Sequence, residues 1–195
     1  MSEASASFEI YRAIHYSKGL DLHGRETAER NAHVINRYKD FFVPVMRSLF
    51  ANSTLGLWMF FDKEQNLGYR ALLKEMKLTT KHQEFEKLKN DIEIRLVPHK
   101  LVVEKIQKLR HEQIAHMSKK YEGSIELEMS EIEQLYKVTQ EIFNLLSNHF
   151  EGSTTMFPLD DREAKNEVDA LMRDLHLGFE EFKKTIHKRY FPEAG

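Results

Sequence analysis

The chain has 195 residues, 29 Lys and Arg against 31 Asp and Glu, 41% hydrophobic residues and no cysteine. At about 150 residues per domain, this length predicts one domain over residues 1–195, with residues 1–7 as a flexible tail and enough chain to bury a core without disulfides. Lack of cysteine excludes thiol nucleophiles, disulfide scaffolds and cysteine-ligated metal centres. A formal net charge of −2 gives no broad basic field, so any contact with nucleic acid must be local. The first residues carry no basic segment leading into an apolar run, and the most apolar stretch, residues 49–61, is broken by Asn52, Ser53, Thr54 and Gly56 and is too short to span a bilayer. The expectation is a cytoplasmic protein with no membrane partner.

Four prolines and eight glycines punctuate long stretches of Glu, Lys, Leu, Ile and Met at helical spacing, which predicts an all-α bundle of about six or seven helices. Residues 5–16 form a short amphipathic helix with Phe8, Ile10, Tyr11 and Ile14 on its apolar side, followed by a loop over residues 17–24. From Arg25, the series Ala28, Ala32, Ile35, Tyr38, Phe42, Val45, Met46, Leu49 keeps to steps of three and four. That marks one helix face, which Pro44 should bend or end. An aromatic patch at residues 55–61 leads to a short helix through Leu67, Ala71, Leu72 and Met76, after which Thr80 is the expected cap of the next helix.

Two apolar stripes, Phe85, Leu88, Ile92, Leu96 and then Val102, Ile106, Leu109, are separated by Pro98, where the helix must break. Residues 119–129 read as a loop. Ser130 with Glu133 forms a capping box before Ile132, Leu135, Val138, Ile142, Leu145 and Leu146, and Asp160 with Glu163 forms another before Val168, Leu171, Met172, Leu175, Phe179, Phe182 and Ile186.

Several signatures lead nowhere. Asn52-Ser53-Thr54 matches a glycosylation sequon but needs a secreted chain. Neither a glycine-rich phosphate loop nor a Gly-x-Ser-x-Gly elbow occurs. The pair Asp160-Asp161 is explained by its place at a helix start. The segment His111-Glu112-Gln113-Ile114-Ala115-His116 approaches the zinc-protease pattern, but its histidines are at i and i+5. On a helix that turns the second imidazole by about 140° from the first, so no metal is held there and no cofactor is expected.

Taken from one residue earlier, Leu109-Arg110-His111-Glu112-Gln113-Ile114-Ala115-His116 resembles the motif of the HEPN domains, Arg-x(4 to 6)-His with a polar residue after the arginine. The Ile114-Ala115-His116 ending is most similar to the abortive-infection, AbiU-like branch, and Phe60-Phe61-Asp62 and Ala71-Leu72-Leu73 are similar in kind to that branch. The resemblance implies a HEPN-like helical bundle, a homodimer and a metal-independent endoribonuclease of toxin-antitoxin or antiphage type, with RNA as substrate and an antitoxin protein as a further partner. By the same resemblance Arg110 and His116 are the principal catalytic pair and His111 the polar second position. Where some relatives carry a modified tyrosine two residues after the histidine, this chain has Ser118.

The residue types suit that chemistry. A guanidinium neutralises a phosphate through forked donors, an imidazole moves a proton near neutrality, and RNA brings its own 2′-hydroxyl nucleophile. Lys119 and Lys120 are candidate RNA contacts. On a regular helix, Arg110 and His116 stand about 120° and about 9 Å apart, so either the helix unwinds near His116 or a two-fold partner supplies the second pair.

The plainer alternative makes His116 a buried core histidine on the face of Val102, Ile106 and Leu109, and Arg110 an ordinary ion-pair partner. The protein is then a non-catalytic interaction or RNA-binding module. Trp58, Phe60 and Phe61 read as core or dimer interface, and the basic cluster Lys183, Lys184, His187, Lys188, Arg189 as a helix end complementing its dipole.

Overall fold

The computed structural model describes residues 2–62, 68–110, 127–155 and 161–190, the side chains of residues 2, 161 and 187–190 excepted. The elements are α1 Ser2–Tyr16, α2 Leu20–His23, α3 Arg25–Arg37, α4 Lys39–Phe61, α5 Tyr69–Thr79, α6 His82–Leu96, α7 Lys100–Leu109, α8 Met129–Glu151 and α9 Asp161–Tyr190, with a 3-10 turn at Val97–His99. Among the described residues there is no strand, so the fold is the expected all-α helical one. No helix of these residues is long and apolar enough to cross a membrane.

The helices exceed the expected six or seven for two local reasons. α2 forms inside the segment read as a loop. The helix expected to continue from Arg25 to Pro44 breaks instead at Tyr38, whose φ of −104° and ψ of 34° leave the helical region. Pro44 is then accommodated in the second turn of α4, where its ring removes one backbone bond while the chain before it is already free to redirect. Pro98, lying between two long stripes, does interrupt the helix, and the 3-10 turn fills the gap. The flexible tail expected at residues 1–7 is, from Ser2, the first turns of α1, with Ala4 and Ser5 buried.

Caps differ from expectation by small shifts. The box that opens α8 is Glu128 with Glu131, two residues before Ser130 and Glu133. The Glu128 backbone N–H donates to Glu131 Oε2 at 2.9 Å, and the Ser130 hydroxyl donates to the Glu128 carboxylate at 3.2 Å. Glu131 also receives Lys105 Nζ of α7 at 2.6 and 2.9 Å, which ties this box to the neighbouring helix. Thr80 does not cap α6. It ends α5, donating its N–H to Met76 O at 2.9 Å, while its hydroxyl lies 3.1 Å from His149 Nε2. Asp160 lies outside the described residues.

The chain divides into two compact units. The first comprises Met1–Ser5 and Ala51–Pro158. Here α8 packs on α5, α6 and α7 through Ile132, Leu135, Ile142 and Leu146, all buried. The Tyr136 hydroxyl is shared between Ser53 O at 2.8 Å and Ala4 O at 3.0 Å. Gly56 is required by the close approach of α1, since a Cβ there would fall on the Ala4 methyl group. The second unit comprises Ala6–Phe50 and Leu159–Gly195. Its core joins Ile14, Val34, Ile35, Phe42, Val168 and Met172, and α3 packs along α9. The buried Asn31 amide is satisfied by donating to Ser17 O at 3.0 Å.

Two outcomes follow from this packing. Gly56→Ala should lower the urea-unfolding free energy by about 1–3 kcal/mol through overpacking. Gly178→Ala, on the open face of α9 where an added Cβ meets nothing, should raise it by about 0.5–1 kcal/mol.

The Glu131 carboxyl is held below its ordinary value of 4.5, first by the hydrogen bond from Lys105 and also by the Glu128 backbone N–H. Because the folded value is the lower one, this contribution is complete above pH 4.5 and is lost as pH falls through the folded value. The pair is partly exposed, so Glu131→Gln should cost only about 0.5–1 kcal/mol at pH 7. The difference from the parent should vanish in acid titration monitored by circular dichroism.

Candidate active site around Arg110

Along α7, Val102, Ile106 and Leu109 are buried at steps of four and three. Arg110, one residue on, is rotated by about 100° from Leu109. It continues the helical backbone with φ −60° and ψ −47°, and its N–H is shared between the Ile106 and Gln107 carbonyls. The guanidinium lies over the ring of Trp58 on α4, 3.9 Å from the centroid, and Trp58 is only 7% exposed. A guanidinium stacked in this way spends its flat face on the ring, whereas its N–H donors lie in its plane and point outward from the edge. Contact with the ring face does not by itself use the N–H donors.

Next to this pair is the end of α4. Phe60 and Phe61 meet edge to face at 5.2 Å, and both contact Tyr69, at 5.6 and 6.0 Å. The Arg70 guanidinium stands 5.4 Å from the Tyr69 ring centroid. Burial pushes the Tyr69 phenol above its ordinary 10.0, with Arg70 pulling the other way. Tyr69 thus stays neutral at physiological pH. Beside it, residues of α5, α6 and α7 border a half-open cleft of about 530 Å³ that reaches Val103 and Gln107.

Of the residues expected at the site, Arg110 is placed. His111, His116, Lys119 and Lys120 lie outside the described residues. Trp58 appears as the partner of Arg110, a role that the local sequence did not reveal; the only signal was an aromatic-rich helix end 52 residues away from the motif. In the other basic cluster, Lys183 and Lys184 are exposed and pair with Glu180 and Glu181 on the same helix at 2.8 and 2.7 Å. The side chains of His187, Lys188 and Arg189 lie outside the described residues.

The family model for AbiU2, of the HEPN type, matches residues 2–171. That covers most of the chain, including residues 109–116, and the chain belongs to this family. No curated protein and no solved structure matches it.

The chain has a single tryptophan, so the stack can be observed directly. Arg110→Ala should change the intensity or wavelength of Trp58 emission while far-UV circular dichroism stays the same. The stability lost should be about 0.5–2 kcal/mol. An unchanged emission spectrum would contradict the contact.

Proposed function

We propose that this AbiU2-family protein is a metal-independent endoribonuclease of toxin-antitoxin or antiphage type, active as a homodimer and restrained by an antitoxin protein. The observation that supports this most is the position of Arg110: the motif arginine follows directly on α7 with its guanidinium over the Trp58 ring, 3.9 Å from the centroid, a contact that does not by itself use the N–H donors a phosphate needs.

In this reading Arg110 binds the scissile phosphate and offsets the charge that develops on its oxygens. His116 acts as general acid or base, and the partner's copy of the same residue can take the complementary role across a two-fold axis. The 2′-hydroxyl gives up its proton and attacks phosphorus. The bond to the 5′-oxygen breaks, and that oxygen takes a proton, leaving a 2′,3′-cyclic phosphate and a 5′-hydroxyl. His111 adds a polar contact, and Lys119 and Lys120 hold neighbouring phosphates. With a net charge of −2, affinity for RNA outside this cleft should be weak and sensitive to salt.

The test is RNA cleavage in the presence of EDTA. The wild type should cut, while Arg110→Ala and His116→Ala should each lose at least about a hundredfold in rate and keep the wild-type circular dichroism spectrum and dimer elution volume. Cleavage that survives in both variants would sink the assignment. A wild type that binds RNA or protein but cuts nothing would identify a non-catalytic module.

A further inference from the structure

The cleft beside the aromatic cluster is continuous with Arg110 through two helices. On α7, Lys100, Val103, Gln107 and Arg110 follow at steps of three, four and three, which is one helix face, and the first three line the cleft. On α4, Phe61 lines the cleft and Trp58, one turn earlier, carries the Arg110 guanidinium. The Arg110–Trp58 stack therefore stands one turn, about 5 Å, beyond the Gln107 and Phe61 end of the cleft.

Its chemistry is that of a site for a flat, hydrogen-bonding, negatively charged group. Leu73 and Val103 line it as partly exposed aliphatic side chains, together with the buried Phe61 and Ile92. Gln107, half buried between them and Arg110, offers both a donor and an acceptor. Arg70, Lys89 and Lys100 face Glu93 and Glu104 around the rim, and Lys89 stands 3.9 Å from Glu93, so the local balance is positive in a chain whose overall charge is negative. A volume of about 530 Å³ falls within the ordinary range of small-ligand sites.

We propose that this cleft receives one nucleotide of single-stranded RNA, next to the phosphate held by Arg110. The base lies between Leu73 and Val103 with its polar edge at Gln107, and its backbone phosphate lies toward Arg70 and Lys100. The proposal rests on the endoribonuclease reading for the identity of the strand, and it makes the cleft the place where base preference is set.

The experiment measures binding of a fully 2′-O-methylated RNA oligonucleotide, which cannot be cut by its own 2′-hydroxyl, by fluorescence anisotropy, alongside EDTA-resistant cleavage of unmodified RNA. Val103→Trp, which fills the cleft, and Lys100→Glu, on an exposed position, should each weaken binding of the oligonucleotide by about tenfold or more. Gln107→Ala should alter the ranking of cleavage sites. Arg110→Ala should abolish cleavage and weaken binding through the loss of one phosphate contact, and Lys100→Glu added to it should weaken the remaining binding further. If Val103→Trp loses its helical circular dichroism, Lys100→Glu decides. Binding unchanged in Lys100→Glu overturns the proposal, as does tight binding of nucleoside 5′-monophosphates with none of the oligonucleotide, which would make the cleft a free-nucleotide site. A wild type that binds through the cleft yet cuts nothing supports the cleft and removes the endoribonuclease reading alone.

Discussion

The Tyr136 hydroxyl is the tie on which the first unit depends. It lies on α8 and meets the carbonyls of Ala4 on α1 and Ser53 on α4, so helices distant in sequence are set by one buried polar atom. The tie works only because Gly56 lets α1 come down onto α4 without a Cβ in between, and the Gln140 amide adds a donor to Ser5 at 3.3 Å. A buried hydroxyl of this kind contributes little more than about 1 kcal/mol net, but the carbonyls it serves would be costly to leave without a partner. It therefore specifies the crossing more than it stabilises it. Once α8 is placed, its apolar face sets α7, and the Lys105 to Glu131 pair fixes the rotation and start of the two helices relative to each other.

That placement carries through to the site. α7 ends at Arg110, and Arg110 returns to α4 at Trp58, five residues beyond Ser53. The circuit from α4 through α8 and α7 back to α4 is closed by a polar tie at one end and a cation on an aromatic ring at the other. The ring is almost wholly buried, so it offers the long arginine side chain a fixed surface that favours the stacked rotamers. In the proposed role such restriction would favour phosphate binding, since ordering a free arginine would cost affinity.

Much of this was legible from the residues. The stripes of α6 and α7, the break at Pro98 and the apolar face of α8 follow from spacing and from a ring without an N–H, whereas on α9 Val168 and Met172 of the expected face are buried but Leu171, Phe182 and Ile186 stand exposed. The break at Tyr38 was not legible, because neither glycine nor proline marks it. Pro44 misled for the complementary reason, as its effect depends on how far it stands from a helix start that the spacing does not reveal. Glu128 and Glu131 form the box in place of Ser130 and Glu133, and Glu131 pairs with a lysine 26 residues away. Around the motif, Arg110 stands out within eight consecutive residues, whereas Trp58 is brought to it by tertiary packing and carries no local mark.

The two compact units are not consecutive along the chain. The second is assembled from Ala6–Phe50 and Leu159–Gly195, and its core needs Val168 and Met172 of α9 beside Val34 and Phe42. A ribosome making this protein therefore releases α3 and the start of α4 with their apolar faces uncovered and leaves them so while more than a hundred further residues are synthesised. The first unit, whose residues up to Pro158 come earlier, can close before then. Translation order thus gives the protein an interval in which the Arg110 helix is already packed while the α3 face still waits for its cover, an exposed surface that a cell must shield or outpace.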